Sequence, residues 1–424
     1  MKAHAFPAVR HMQPLRVLYI THTAARCGSV GSLRYLIENL PPGAVEATVM
    51  SPDGPAVEAF RAAGARVVVI PGVSMLQSIS GVPMRGWRTL EILRTIWLMR
   101  HGRHIRRALR EAAPDVVHLN ERGMLQAAMI ASRAGVPVVA HARSVMDRRT
   151  KWVSAITGIA LNRYVAMVVP IDESVSRSLP AVRRRQIVYN PLNLPKGDAL
   201  PASDNLVRRT DGRVRVTYLS GLLPYKGIWD LLEAARRLRH RTDVVFQIAG
   251  ANSRPPSFYR SPVGRLAQAT GLACDVEREV RAWIARERVS NVELLGHVEG
   301  TARLLATTDV LVFPSHLNGP GRSVFEAGVH GIPSIVALHD RIEDVVEDGV
   351  TGLIVPDRDA DALASAIERL VSDSDLRHRL GDQARRKYAV QFDPRRIGVQ
   401  ILDIYRSVLA DARQSAAASR LEPV

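Results

Sequence analysis

The segment Leu311 to Val336, LVFPSHLNGPGRSVFEAGVHGIPSIV, most tightly limits what this chain can become. An apolar run, Val310 to Phe313, stops at Pro314-Ser315. A glycine-rich loop follows, then a helix-like stretch carrying Glu326, and a second apolar run opens after Gly331-Ile332-Pro333. A strand that delivers a flexible loop to a helix start is how an α/β protein aims backbone N–H groups at a phosphate or a sugar. Val216 to Leu232, VTYLSGLLPYKGIWDLL, repeats the design and sets Lys226-Gly227 at a helix start. Together the two segments suit a nucleoside diphosphate-sugar.

The same alternation runs along the whole chain. Strand signals fall at Arg16 to Thr21, Ala47 to Ser51, Arg66 to Ile70, Asp115 to Leu119, Val136 to His141, Met167 to Val169 and Gln186 to Tyr189. In the second half they fall at Val214 to Leu219, Val244 to Ala249, Val292 to Leu295, Val310 to Phe313, Pro333 to Ala337 and Gly352 to Val355. Helical patterns separate them, which predicts mostly parallel sheets covered on both faces. Pro191 to Gly212 lacks periodicity and reads as a linker, and the Pro/Ser/Arg-rich Asn252 to Gly271 reads as an inserted loop. At 424 residues the chain exceeds one ordinary core. The expectation is an α/β protein of two Rossmann-like domains facing a central cleft. Residues 1–14 form a tail, 15–190 an N-terminal domain, 191–213 a linker, 214–392 a nucleotide-sugar domain, 393–410 a closing helix and 411–424 a second tail.

Two cysteines, Cys27 and Cys274, argue against a disulfide framework and fit a reducing compartment. The N-terminus carries no signal-like apolar core and no run is long and apolar enough to span a bilayer, so a cytoplasmic protein is expected. The net charge of +17 favours anionic partners. Arg85 to Arg110 holds eight arginines and one acid, Glu91, interleaved with Leu90, Leu93 and Trp97. That mixture suits either an anionic membrane surface bound through residues 84–110, placing the chain on the inner face of the plasma membrane, or a helix packing its apolar stripe on the core. No RNP-like, zinc-finger or helix-turn-helix signature accompanies the charge, so nucleic acid is not expected.

Strand ends mark further candidates. His118 and Asn120 close DVVHLN, and His141 and Arg143 close VVAHAR, where open α/β sheets bind ligands. The histidines are candidates for catalysis; Asn120 and Arg143 are candidates to orient acceptor or sugar. No Asp-x-Asp metal motif sits in a suitable loop and the His and carboxylate positions show no metal-ligand spacing, so no metal and no cofactor are expected.

The Lys226 and Glu326 segments resemble those of the retaining glycosyltransferases of the GT-B fold, family 4. There a G-R-L-x-x-x-K-G segment and an E-x7-E segment bracket the donor sugar nucleotide. The resemblance extends from about Leu15 to Leu409. It implies that Lys226 binds the diphosphate and Glu326 the ribose hydroxyls. Gly28, Gly319 and Gly321 would offer backbone amides, and Arg322 and Ser323 would donate to the phosphates. Gly221 stands at the family's arginine position, and Asn318 replaces the first glutamate, which contacts the donor sugar; Arg322 is the candidate to compensate for Gly221. The resemblance also implies a C-terminal helix crossing back to the first domain. It implies a retaining transfer from a UDP- or GDP-sugar to a hydroxyl of a glycan or lipid-linked acceptor, in polysaccharide or glycolipid biosynthesis. A noncatalytic subunit that scaffolds a membrane complex, and a nucleotide-sugar hydrolase or epimerase, remain alternatives.

Overall fold

A computed structural model describes residues 13–25, 27–76, 96–146, 151–192, 194, 212–252, 254–271, 273–298, 300–317, 319–339, 342 and 345–421. The first half contains β1 (Leu15–Ile20), α1 (Gly28–Glu38), β2 (Val45–Ser51), α2 (Ala56–Ala62), β3 (Arg66–Val69), α3 (Gly102–Ala112), β4 (Val116–Leu119), α4 (Leu125–Arg133), β5 (Val138–Ala142), α5 (Lys151–Tyr164), β6 (Met167–Pro170) and α6 (Glu173–Ser178). The second half begins with β7 (Val214–Leu219), the 3-10 turn Pro224–Lys226, α7 (Ile228–Arg237), β8 (Val244–Ala249), α8 (Pro256–Arg260), α9 (Pro262–Ala269) and α10 (Val276–Glu287). It continues with β9 (Val292–Gly296), α11 (Thr301–Leu305), β10 (Val310–Phe313), α12 (Arg322–Val329), β11 (Ser334–Ala337), β12 (Gly352–Val355), α13 (Ala360–Ser372), α14 (Ser374–Gln391) and α15 (Pro394–Leu421).

The strands form two six-stranded parallel sheets, ordered β3-β2-β1-β4-β5-β6 and β12-β11-β10-β7-β8-β9. Each sheet is wound outward one way and then back from its centre, so the order reverses between β1 and β4 and again between β7 and β10. These reversals open a crevice at the carboxyl ends of the flanking strands. Both motifs of the second half leave strands at such a reversal: Lys226 follows β7, and the glycine loop follows β10. Val310–Phe313 is fully apolar because it is covered on both faces. Val310 and Val312 face one hydrophobic cluster, and Leu311 and Phe313 face the other.

The chain ends on the domain where it began. In α15, Ile397, Ile401, Ile404, Tyr405 and Val408 recur at helical spacing and join the cluster built by Val17, Tyr19, Leu33 and Leu36 of the first sheet and α1. Burying each such side chain contributes roughly 1.5–3 kcal/mol, which is enough to hold this helix across the two domains. It runs to Leu421, beyond the expected end at residue 410.

Two expectations need correction. Gln186 to Tyr189 is not a strand: it follows β6 with a bridge at Arg185 and backbone bonds from Gln186 and Val188 only. The Asn252 to Gly271 stretch is not a loop but carries the short helices α8 and α9. Ser261 caps α9 by accepting from Gly264 N, and Pro262 fills a first-turn position that needs no N–H donor. Leu90 and Leu93 lie outside the described residues, as does most of the expected linker. No helix among the described residues is long and apolar enough to cross a membrane.

Candidate functional site between the two sheets

The two motifs of the second half are fastened to each other. Gly227 adopts a left-handed backbone (φ 72°), and a β-carbon there would overlap the Pro314 carbonyl oxygen. His316 N donates to Tyr225 O at 3.0 Å, and the His316 ring meets Asp230 Oδ2 at 2.6 Å. Gly321, which starts α12, lies against Phe313: a β-carbon would fall 2.5 Å from the ring. Its role is therefore close packing at the helix start.

Lys226 stands inside this junction. Its Nζ lies 5.2 Å from the centre of the Phe313 ring and 5.8 Å from that of Tyr225. Burial pushes its ammonium down to about 8, and no carboxylate among the described residues forms an ion pair with it. A cation withdrawn from water without a counter-ion is costly unless an anion arrives to balance it.

Glu326 and Arg322 sit one helical turn apart on α12. Arg322 Nε donates to Glu326 Oε1 at 2.7 Å, and Thr301 Oγ1 lies 3.4 Å from Oε2. Arg322 also spans the cleft. Its Nη1 donates to Ser32 Oγ of α1 at 2.8 Å, and its guanidinium lies 5.2 Å from the Tyr35 ring centre. Ser32 in turn donates to Gly28 O at 2.9 Å. Gly28 opens α1 and is exposed, and a β-carbon on it would meet nothing within 4 Å, which leaves this helix start uncovered at its first residue. Ser323 is buried in the first turn of α12. Gly319 packs against Ser174 and Val145 of the first domain. Asn318 lies outside the described residues.

On the first domain, the four strand-end candidates lie in two layers, one residue of each i, i+2 pair in each. Asn120 and Arg143 form the outer one. Arg143 Nε donates to Asn120 Oδ1 at 2.8 Å, Arg143 Nη1 bonds Asn190 Oδ1, and Asn120 Nδ2 donates to Ser29 O at 3.2 Å. Burial lowers Arg143 to about 10, and the charge of Arg322 adds to this while Glu121 opposes it. Arg143 therefore stays cationic at neutral pH. His118 and His141 lie one pleat deeper, 0% and 2% exposed. His118 Nε2 is 2.7 Å from His141 Nδ1, and His118 Nδ1 is 2.6 Å from the Tyr405 hydroxyl. Burial lowers His118 to about 3 and His141 well below its ordinary value, with Arg143 pushing both the same way.

The structure therefore gathers Lys226, Glu326, Arg322, Ser323, Gly28, Gly319, Gly321, Asn120 and Arg143 at the facing strand ends. Sequence reasoning missed several neighbours. Tyr405 and Asn190 come from distant chain segments. The Asp230–His316 pair joins the first turn of α7 to the glycine loop. Glu121 and Arg122 form an ion pair at 2.9 Å, 7% and 5% exposed at the side chains, in which Arg122 also donates to Ser144 O. Only the last had a local signal, an adjacent acid and base immediately after a strand. Among the described residues no group of three His, Cys, Asp or Glu is placed to hold a metal ion.

Comparison with known proteins gives the same architecture a family. Residues 207–387 match the model of the Glycosyl transferases group 1, and residues 28–192 match a Glycosyl transferase 4-like domain. The chain is 24% identical over 375 residues to an alpha-D-kanosaminyltransferase of Streptomyces kanamyceticus, covering 81% of this chain and 88% of the relative. It is 26% identical over 381 residues to a GDP-mannose-dependent alpha-(1-6)-phosphatidylinositol monomannoside mannosyltransferase of Mycobacterium tuberculosis, covering 85% and 89%. The crystal structure of Anabaena HepE in complex with UDP and glucose superposes with a TM-score of 0.72 at 18% identity, covering 93% of this chain and all of that one, a likeness of fold. With both halves matched in order and two Rossmann-like domains in place, the chain belongs to the group 1 glycosyltransferases of the GT-B fold.

Proposed function

We propose that this glycosyltransferase is a retaining enzyme that moves a sugar from a UDP- or GDP-sugar to a hydroxyl of a membrane-linked glycan precursor, without a resident metal. The observation that carries the donor assignment is Lys226, a desolvated cation with no partner carboxylate among the described residues, set where the second sheet reverses its winding. A diphosphate supplies the missing counter-charge. Arg322 and the open start of α1 approach the same region from both domains, and these cations provide the charge that a divalent metal provides elsewhere. Glu326 offers two acceptor oxygens to a ribose diol. HepE was solved with UDP and glucose, and the mycobacterial relative is named for GDP-mannose, which supports a nucleoside diphosphate-sugar of either base.

In the proposed reaction the bond from sugar C1 to the β-phosphate oxygen breaks, and negative charge grows on the departing diphosphate. Lys226 and Arg322 stabilise that charge, each contact contributing roughly 1.5–3 kcal/mol. The acceptor oxygen bonds to C1 on the same face, and its proton passes to the departing phosphate oxygen. No protein nucleophile is needed. The acceptor side rests on the surface of the first domain. Ile96, Trp97 and Met99 are 59%, 53% and 46% exposed, and α3 presents Arg103, Arg106, Arg107 and Arg110 to solvent. Trp152, Ile156 and Ile159 leave an apolar stripe on α5. Apolar anchors beside arginines suit an anionic lipid surface. The mycobacterial relative's phosphatidylinositol-linked acceptor agrees with this.

The test is product analysis with UDP- and GDP-sugars and a lipid-linked acceptor extract. An α-linked product from an α-linked donor supports the reading. A β-linked product, or free sugar alone, contradicts it.

A further inference from the structure

Beneath Arg143 runs a line of buried polar groups that the proposed reaction does not use. Tyr19 of β1 and His118 of β4 are paired in register, and His141 of β5 projects to the same side. Tyr19 and His118 are fully buried and His141 is nearly so. From the other side α15 inserts Tyr405, also fully buried, whose hydroxyl lies 2.6 Å from His118 Nδ1 and 3.2 Å from the Tyr19 hydroxyl. His118 Nε2 meets His141 Nδ1 at 2.7 Å, and Arg143 Nη2 approaches that same Nδ1 at 3.4 Å.

The chemistry of the two ends orders the protons between them. A guanidinium has N–H donors and no acceptor, so the His141 Nδ1 that faces it carries a lone pair. The short contact from His118 to that atom then needs a hydrogen on His118 Nε2. A neutral His118 is left with a lone pair on Nδ1, and the Tyr405 hydroxyl directs its single hydrogen to that atom at 2.6 Å in preference to the Tyr19 hydroxyl at 3.2 Å. Burial keeps both imidazoles neutral. Without the hydroxyl, His118 loses the donor that selects this tautomer. The alternative tautomer turns a His141 N–H toward the guanidinium, where donor meets donor.

We infer that Tyr405 is a positioning residue: acting through His118 and His141, it holds the Arg143 guanidinium at the cleft-facing end of the first sheet. The inference rests on the cleft being a diphosphate-sugar site. It deepens that reading, because a helix that follows the second domain completes the site in the first. The arrangement also gives the two strand-end histidines a role that needs no contact with substrate.

Histidine-selective 15N labelling of the wild-type protein reads the tautomers directly, with the signals assigned by their loss in His118→Gln and His141→Gln. Both rings are expected neutral and protonated on Nε2. A His141 protonated on Nδ1 overturns the inference, and this readout needs neither activity nor a folded Tyr405 variant. Failure here is thereby separable from failure of the donor assignment. The kinetic arm uses Tyr405→Phe, for which kcat/KM for the donor is expected to fall about tenfold. In an Arg143→Ala background the same substitution is expected to cost nothing more. Losses that multiply in the double variant would assign Tyr405 to ordinary packing and overturn the inference.

Discussion

Gly227 lies so close to Pro314 that a β-carbon on the glycine would overlap the proline's carbonyl oxygen. This contact joins the lysine turn after β7 to the glycine loop after β10, so the two halves of the donor site share one backbone junction. Gly227→Ala would strain a left-handed residue and drive the junction apart. The expected result is a loss of at least about 2 kcal/mol in stability together with loss of nucleotide binding. Denaturant unfolding and calorimetry check both, and a variant that unfolds and binds like wild type would separate the two motifs.

Lys226 predicts an inverse relation between stability and function. Its folded-state value, about 8, lies below the 10.5 of an unperturbed lysine. The cost of burying its charge is therefore fully present below about pH 8 and disappears as pH rises toward 10.5. Lys226→Met should raise stability at pH 7 by on the order of 2 kcal/mol, a gain that shrinks at alkaline pH. Nucleotide affinity of the wild type should weaken as pH rises through about 8. Unfolding curves and titrations at pH 7 and 9 test the sign of each effect.

Arg322 is the cation that touches both domains, through Glu326 and Ser32. Arg322→Ala should weaken nucleotide binding about tenfold or more, as expected for a lost charge-assisted contact. Arg322→Lys keeps the charge but not the fork that reaches two partners, and should fall between alanine and wild type. Equal affinity in all three proteins would remove Arg322 from the site.

The exposed face of α3 gives a prediction about location. Wild-type protein should cosediment with vesicles containing anionic lipid and much less with neutral ones, and added salt should weaken the association. Trp97→Ser combined with Arg103→Glu and Arg106→Glu should reduce binding about tenfold or more, at roughly 1 kcal/mol per lost basic residue. Equal binding to neutral vesicles would contradict a role for these arginines.

The sheets were legible because buried parallel strands are short uncharged runs, as in Val310–Phe313 and Val244–Ala249. Where composition masked a capping signal the reading failed. Ser261-Pro262 starts a helix inside a stretch rich in loop residues. Asp373, whose side chain accepts from Leu376 N, starts α14, which was not anticipated although Leu376, Leu380, Ala384 and Tyr388 recur every fourth residue. At the site, the strand–loop–helix patterns around Lys226 and Glu326 could be read locally, and the family resemblance supplied the expected roles of the two side chains. Strand alternation put His118 with Asn120 and His141 with Arg143 on one face, but it could not give their depth. His118 is met there by Tyr405, 287 residues away in the chain, and no local pattern encodes such a contact.

The central claim is that the cleft binds a nucleoside diphosphate through Lys226. The most direct measurement is calorimetric titration of UDP and GDP, without added metal, into wild type and into Lys226→Met. Saturable binding of one nucleotide by the wild type, lost in the folded variant, is the predicted result. Binding of neither nucleotide by the wild type, or equal binding by both proteins, would contradict it.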